Sequence, residues 1–217
     1  MDTTTVHLLR HGQVENPGRV LYGRLPGYHL SALGVQMAEA AADYLKDVPL
    51  THLRCSPLER ARETMAPVAA TRPQLEVVID DRVVEAENLF AGKVFSEKSW
   101  ELLKPSNWWL LRNPFRPSWG EPYVSIVERM KAAVMDAAEA AGPGGQALIV
   151  SHQLPIWMMR SHAEGRRLLH DPRKRECTLA SITSIRLVDG RIAGVGYAEP
   201  AAHLLPAATT KKYVAGT

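Results

Sequence analysis

Short apolar runs separated by polar, helix-periodic stretches organise the chain. Residues 6–9, 77–79 and 147–150 are apolar runs of strand length, the pattern expected of strands in a parallel sheet, and residues 51–55 read as a further short strand before Ser56. Between them, Ala38, Ala41, Ala42 and Leu45 recur at helical spacing behind Ser31, and residues 123–141 place Val124, Val127 and Val134 on one inward face. Another helix is expected from Ser56, a good N-cap, with Pro57 at the first helical position and Glu59 completing a capping box. Residues 181–187 and 192–197 flank Asp189-Gly190, which predicts a hairpin at the sheet edge. The alternation of strand and helix implies an α/β fold.

Composition narrows the class. With 217 residues and 46% hydrophobic content, the chain can bury a substantial core as one domain, residues 1–217. Cys55 and Cys177 provide no disulfide framework, and no CxxC or Cys/His ligand spacing is present. His7 and His11 share a strand face but stand roughly 13 Å apart, too far to share a metal. Residues 1–5 lack a basic n-region and an apolar core, and no run approaches membrane-spanning length. Cytoplasmic localisation without a membrane partner is the expectation.

The net charge of +3 is mild. Arg160, Arg166, Arg167, Arg173, Lys174 and Arg175 form a basic stretch interrupted by Glu164 and Asp171. It lacks a nucleic-acid motif or interleaved aromatics, so no nucleic-acid partner is expected; a solvated face, or a rim that draws anionic substrates, accounts for it more simply. Residues 209–217 read as a loose tail.

Chemistry concentrates at strand ends. Arg10-His11-Gly12 follows the first apolar run, and open α/β sheets place ligand chemistry beyond the carboxyl ends of their strands, with the neighbouring arginine suggesting an anion. A second apolar strand ends on Ser151-His152. Arg60 lies in the first turn of its helix, leaning back toward an amino terminus that favours anions, whereas Arg62 reads as a solvated arginine paired with a nearby glutamate. From spacing alone, Glu85, Glu87, Asp80 and Asp81 compete for an acid/base role.

Together these residues resemble the histidine phosphatase superfamily, the phosphoglycerate mutase-like enzymes. The likeness runs from Val6 through Ile156 in the family's order: Arg10-His11-Gly12; Asn16, Gly18-Arg19, Gly23, Leu30-Ser31, Gly34 and Gln36; Ser56, Pro57, Arg60, Ala61 and Thr64 for S-P-x-x-R-A-x-x-T; Glu85; Gly120-Glu121-Pro122 for G-E-S; and His152. The resemblance implies a three-layer α/β sandwich, its mostly parallel central sheet flanked by helices. It also implies a nucleophilic His11, a phosphate clamp of Arg10, Arg60 and His152, and an acid/base Glu85. Asn16, Gly12, Gly23, Gln153 and Glu121 match phosphate- or substrate-side positions. No metal and no cofactor is implied.

The chain departs from the family pattern at Gln13 and Val14 in place of Glu-Thr, at Glu15 in place of tryptophan, and at Gln153-Leu154 in place of Gly-Gly. Glycine after the second histidine lets backbone approach phosphate, so Gln153 changes that wall, substituting a side-chain amide for a backbone contact. Residues 95–120, with Trp100, Trp108, Trp109 and Trp119, fall where the family inserts substrate-selecting structure. A pocket wall or lid, an aromatic core and a homodimer contact are all open for them. The E-R-H-Y-G stretch of cofactor-dependent mutases is replaced by Glu85-Ala86-Glu87-Asn88-Leu89, which favours a phosphatase acting on a small phosphorylated substrate. A phosphoglycerate mutase and a noncatalytic phosphate-binding module are the alternatives.

Overall fold

Strand β1 (Thr3–Arg10) lies at the centre because its residues are apolar on both faces. In the computed structural model, which describes residues 2–93 and 120–205, Val6 and Leu8 enter one core layer and Leu9 the other. Strand β4 (Gln146–Ser151) divides the same way, Ala147 and Ile149 against Leu148 and Val150. Two-sided burial is what a continuous apolar run in a parallel sheet encodes.

The six strands, with β2 (Leu50–Cys55), β3 (Val77–Ile79), β5 (Ile182–Val188) and β6 (Arg191–Ala198), form one sheet in the order β3-β2-β4-β1-β5-β6. β1 to β4 run parallel, and the β5-β6 hairpin adds antiparallel to β1. Helices α1 (Ala32–Tyr44) and α2 (Glu59–Ala70) cover one face; α3 (Tyr123–Ala141) and α4 (Gln153–Ala163) cover the other. This is the three-layer α/β sandwich expected. Ser31 caps α1 by accepting from Gly34 N, and its Oγ donates to Gln13 Oε1 at 2.9 Å. Gln13 is thereby employed in holding the start of α1.

Two local expectations are corrected. α2 begins at Glu59 with Leu58 at the cap position and no side-chain cap, because Ser56 Oγ is engaged by His152 Nε2 at 2.7 Å and lies 3.5 Å from Leu58 N. Glu59 does not close a capping box either; its Oε1 accepts from Gly27 N. In α3, Val127 and Val134 are buried as expected, but Val124 is 59% exposed, since the inward stripe runs through Ile126, Val127, Met130 and Val134. Cys55 and Cys177 are both buried free thiols. No helix among the described residues is long and apolar enough to cross a membrane. Residues 95–119 of the tryptophan-rich segment and the tail at 209–217 lie outside the described residues.

Candidate active site

Sheet register assembles the site. Arg10 is paired with Ser151 across β1 and β4, so the next residue on each strand, His11 and His152, emerges side by side, with ring centroids 5.2 Å apart. Cys55 is paired with Val150 across β2 and β4, which brings Ser56 to the same edge. Backbone bonds continue the pairing: His11 N donates to Ser151 O and Ser56 N to Val150 O. Three residues distant in sequence are thus placed by the ladder that holds the core.

His11 is 2% exposed. Its Nδ1 lies 2.8 Å from Gly12 O, a carbonyl that can only accept, so Nδ1 carries the proton and Nε2 the lone pair. Burial, then the Arg60 and Arg10 guanidinium groups, hold its pKa well below the usual 6.5, and the imidazole is neutral at pH 7. His7, four residues earlier, differs: its two nitrogens meet Ser184 Oγ and Gln146 Oε1, and it serves as a satisfied sheet residue.

Gly12 positions His11 through backbone. Gly12 N donates to Thr64 Oγ1 at 3.0 Å, and a Cβ at Gly12 would stand 2.5 Å from Gly34 O. Its amide is thus bound to α2, and the absence of a side chain permits this close backbone packing. Thr64 Oγ1 also donates to Arg60 O, tying α2 to the loop after β1.

Arg60 is completely buried. Its Nη2 donates to Gly23 O at 2.7 Å and its guanidinium lies 4.6 Å from the Tyr22 ring centroid, while Nε and Nη1 have no hydrogen-bond partner among the described residues. Orphaned buried donors cost about 1–3 kcal/mol each, and more when charged, so this arrangement favours an incoming anion. Arg10, also buried, donates from Nη1 to Cys177 O at 2.7 Å. The buried His152 Nδ1 likewise has no partner among the described residues. Burial and the nearby Arg60, His11, Arg10 and Arg129 hold its pKa well below 6.5.

A cavity of about 210 Å³ opens in front of this group, bordered on one side by Arg10, His11, Tyr22 and Gly23 and on another by Glu85, Ala86, Glu87 and Asn88. Leu21, Gly120, Glu121, Tyr123, Gln153, Leu154, Pro172 and Arg175 complete its border among the described residues. Glu85 is half-buried, and its Oε1 accepts from Ala86 N at 2.8 Å. Of its competitors, Asp80 is spent on Arg54 and Arg82, Asp81 lies outside this cavity, and Glu87 is 71% exposed with Arg24 as its partner.

The segment carrying Glu85 is held by arginines. Arg24 Nε donates to Glu85 O at 2.6 Å, and Arg129 Nη1 donates to Arg82 O and Val84 O at 2.6 and 2.8 Å. Glu121 unites them, accepting from Arg129 Nε and Nη2 at 2.7 and 3.0 Å and from Arg24 Nη2 at 3.2 Å. Glu121 borders the cavity as expected, but its carboxylate is committed to this bracket. Sequence reasoning missed Arg24, Arg129 and the ring of Tyr22, which no local pattern marks.

Asn16 does not border the cavity; its amide closes a loop by donating to Val20 O and accepting from Val20 N. Its position outside this border differs from the ligand-side place expected of it. Gly23 adopts φ +45° and uses its carbonyl on Arg60. Gln153 opens α4 at the cavity wall, with Oε1 3.4 Å from Arg175 Nη1. The His11 group, Glu85, Glu121, Gly23 and Gln153 are therefore brought together, and Asn16 is not.

A six-stranded mixed sheet with helices on both faces is the phosphoglycerate mutase-like α/β fold. The chain belongs to the histidine phosphatase superfamily (branch 1), whose family model matches residues 6–199. It is 49% identical over 201 residues to the uncharacterized protein Rv0525 of Mycobacterium tuberculosis, covering 93% of this chain and 98% of that protein. Mycobacterial glucosyl-3-phosphoglycerate phosphatase Rv2419c, solved with VO3, superposes with a TM-score of 0.71 at 22% identity, over 89% of this chain and 96% of that one. Phosphoglycerate mutase from Bacillus anthracis gives a TM-score of 0.70 at 23% identity, over 94% and 96% of the two chains. Such neighbours include phosphatases and mutases.

Proposed function

We propose that the protein is a phosphomonoesterase that hydrolyses a small phosphorylated metabolite through a phosphohistidine on His11. The observation that carries this reading is the buried, neutral His11, its lone pair on Nε2, beside an Arg60 whose Nε and Nη1 find no acceptor among the described residues. A nucleophile and anion-seeking donors in one buried group suit in-line attack on phosphorus.

In the first step the His11 Nε2 lone pair forms a bond to phosphorus as the bond from phosphorus to the leaving oxygen breaks. Arg10, Arg60 and His152 donate to the phosphoryl oxygens, where charge accumulates. Glu85, entering as the carboxylic acid, gives its proton to the leaving oxygen and becomes a carboxylate. The positive charge on the phosphoimidazole is met by Gly12 O at Nδ1–H. In the second step Glu85 takes a proton from water, the water oxygen bonds to phosphorus, and the phosphorus–nitrogen bond breaks. Free phosphate leaves, with His11 and protonated Glu85 restored.

Hydrolysis is favoured over mutase action because the stretch after Glu85 lacks the E-R-H-Y-G sequence of cofactor-dependent mutases. The test is turnover of p-nitrophenyl phosphate and a panel of metabolite phosphates, with rapid quench to trap an acid-labile, base-stable adduct. His11→Ala removes both turnover and adduct if the reading holds; full activity in that variant overturns it. Efficient isomerisation of 3-phosphoglycerate with 2,3-bisphosphoglycerate, without comparable phosphate release from any panel member, makes the mutase assignment correct.

A further inference from the structure

The basic stretch at residues 160–175 is not uniform. Arg160 bonds Glu164 and Glu176, Arg166 bonds Glu164, and Arg173 bonds Asp171, each with a carboxylate within 3.2 Å. Arg175 differs from all three. It borders the cavity in front of His11, and both of its hydrogen-bond partners among the described residues are neutral: His170 Nε2 at 2.8 Å and Gln153 Oε1 at 3.4 Å. The two acids nearest in sequence are drawn elsewhere, Glu176 to Arg160 and Asp171 to Arg173.

The support for Arg175 leaves its charge uncompensated among the described residues. His170 Nδ1 donates to Leu168 O at 2.7 Å, which fixes the tautomer and leaves Nε2 as the acceptor for Arg175 Nε. Burial and the adjacent Arg175 keep this imidazole below its usual pKa and therefore neutral. Gln153 supplies the second contact with an uncharged amide, from the position where glycine would have supplied none. A half-buried guanidinium held by neutral acceptors retains its full charge for a ligand, and its planar fork matches a carboxylate or phosphate. Arg10 and Arg60 already stand beside His11 for the transferred phosphoryl group.

We propose that Arg175, posed by His170 and Gln153, binds a second anionic group on the leaving-group side of the substrate. The substrate class is then a phosphomonoester whose alcohol carries a carboxylate or another phosphate. This specificity assignment rests on the phosphatase reading above.

The experiment compares matched probes as competitive inhibitors of p-nitrophenyl phosphate hydrolysis. Glycerol 3-phosphate against 3-phosphoglycerate differs by a carboxylate, and fructose 6-phosphate against fructose 1,6-bisphosphate differs by a phosphate. In the wild type, the doubly anionic member of at least one pair binds about tenfold or more tightly, and the pair that shows it identifies the second group. Arg175→Gln brings that ratio within about twofold of unity, and Arg175→Lys keeps part of it. Equal binding within both pairs in the wild type, or an undiminished ratio in Arg175→Gln, overturns the proposal. A proportional loss for every probe and for the aryl ester also overturns it, placing Arg175 in the phosphoryl clamp. If p-nitrophenyl phosphate is not turned over, the phosphatase reading fails, and titration calorimetry with the same pairs still decides the role of Arg175.

Discussion

Replacing Glu121 with glutamine tests whether the arginine bracket positions Glu85. The substitution preserves shape but removes the charge that accepts two bonds from Arg129 and one from Arg24. The Glu121 and Arg129 side chains are 14% and 15% exposed, so their pairing is well shielded, while Arg24 at 35% is screened more by water. Hydrogen bonds to charged groups contribute roughly 1.5–3 kcal/mol each, and an amide oxygen retains part of that. After allowing for screening, the loss comes to about 2–3 kcal/mol of stability, or roughly 5–10 °C in Tm for a chain of this size.

The functional loss follows from where the arginines point. Arg24 and Arg129 end on the carbonyls of Glu85, Arg82 and Val84, so a loosened bracket frees the backbone that aims the Glu85 carboxyl. A positioned general acid contributes about 10²–10⁴-fold, most of it for poor leaving groups. Partial misplacement therefore lowers kcat about tenfold on an alkyl phosphate and less than about threefold on p-nitrophenyl phosphate. Thermal unfolding and steady-state kinetics on both esters read the two effects. A lowered Tm with an unchanged alkyl-to-aryl ratio would reduce the bracket to a stability device, and an unchanged Tm would refute the energetic argument itself.

Gly12→Ala forces a Cβ against the Gly34 carbonyl, and because backbone meets backbone there, denaturant unfolding is expected to show a loss of about 2–4 kcal/mol. Glu85→Gln slows alkyl phosphate cleavage more than aryl cleavage; no loss on either ester transfers the acid role to another carboxyl. The pKa values of His11 and His152 are lowered from 6.5 in the fold, so the unfolded chain binds more protons below that pH. Stability is fully present above pH 6.5 and falls as pH decreases, by about 1.4 kcal/mol per unit for each histidine that stays neutral. His7, His52 and His170 act in the same direction and His29, raised by Glu63, opposes them; denaturation at pH 7.5 and 5.5 checks the sign. Phosphatase activity survives a chelator, because Arg10 and Arg60 supply the positive charge that a metal would supply, and reproducible loss with recovery on one divalent ion contradicts this.

The parts of the site legible in the sequence are those set by short-range patterns. Apolar runs at 6–9 and 147–150 became neighbouring strands, which placed His11 and His152 together, and the stretch at 123–141 became α3 with the bounds expected. What the sequence did not reveal was the choice of partner. Ser56 has every local qualification for a helix cap, yet His152, 96 residues away, takes its hydroxyl. Glu121 sits in a segment whose family counterpart suggests ligand contact, yet Arg129, eight residues on in α3, and Arg24, 97 residues away, claim its carboxylate. Asn16 turns on Val20 because a side-chain amide satisfies a nearby loop as readily as a phosphate.

This difference divides the site into two halves of unequal robustness. In the proposed reaction the phosphoryl half is fixed by the ladder between β1, β4 and β2, so moving His11 relative to His152 requires breaking hydrogen bonds at the centre of the core. The half proposed to donate the proton hangs on side-chain ion pairs around Glu121, which lie outside the ladder of the sheet. Substitutions that retune leaving-group preference should therefore concentrate around Arg24, Glu121, Arg129 and Arg175, where change leaves the ladder of the sheet intact even when it costs stability. Those that abolish phosphoryl transfer should concentrate at strand ends, where stability and chemistry share the same bonds.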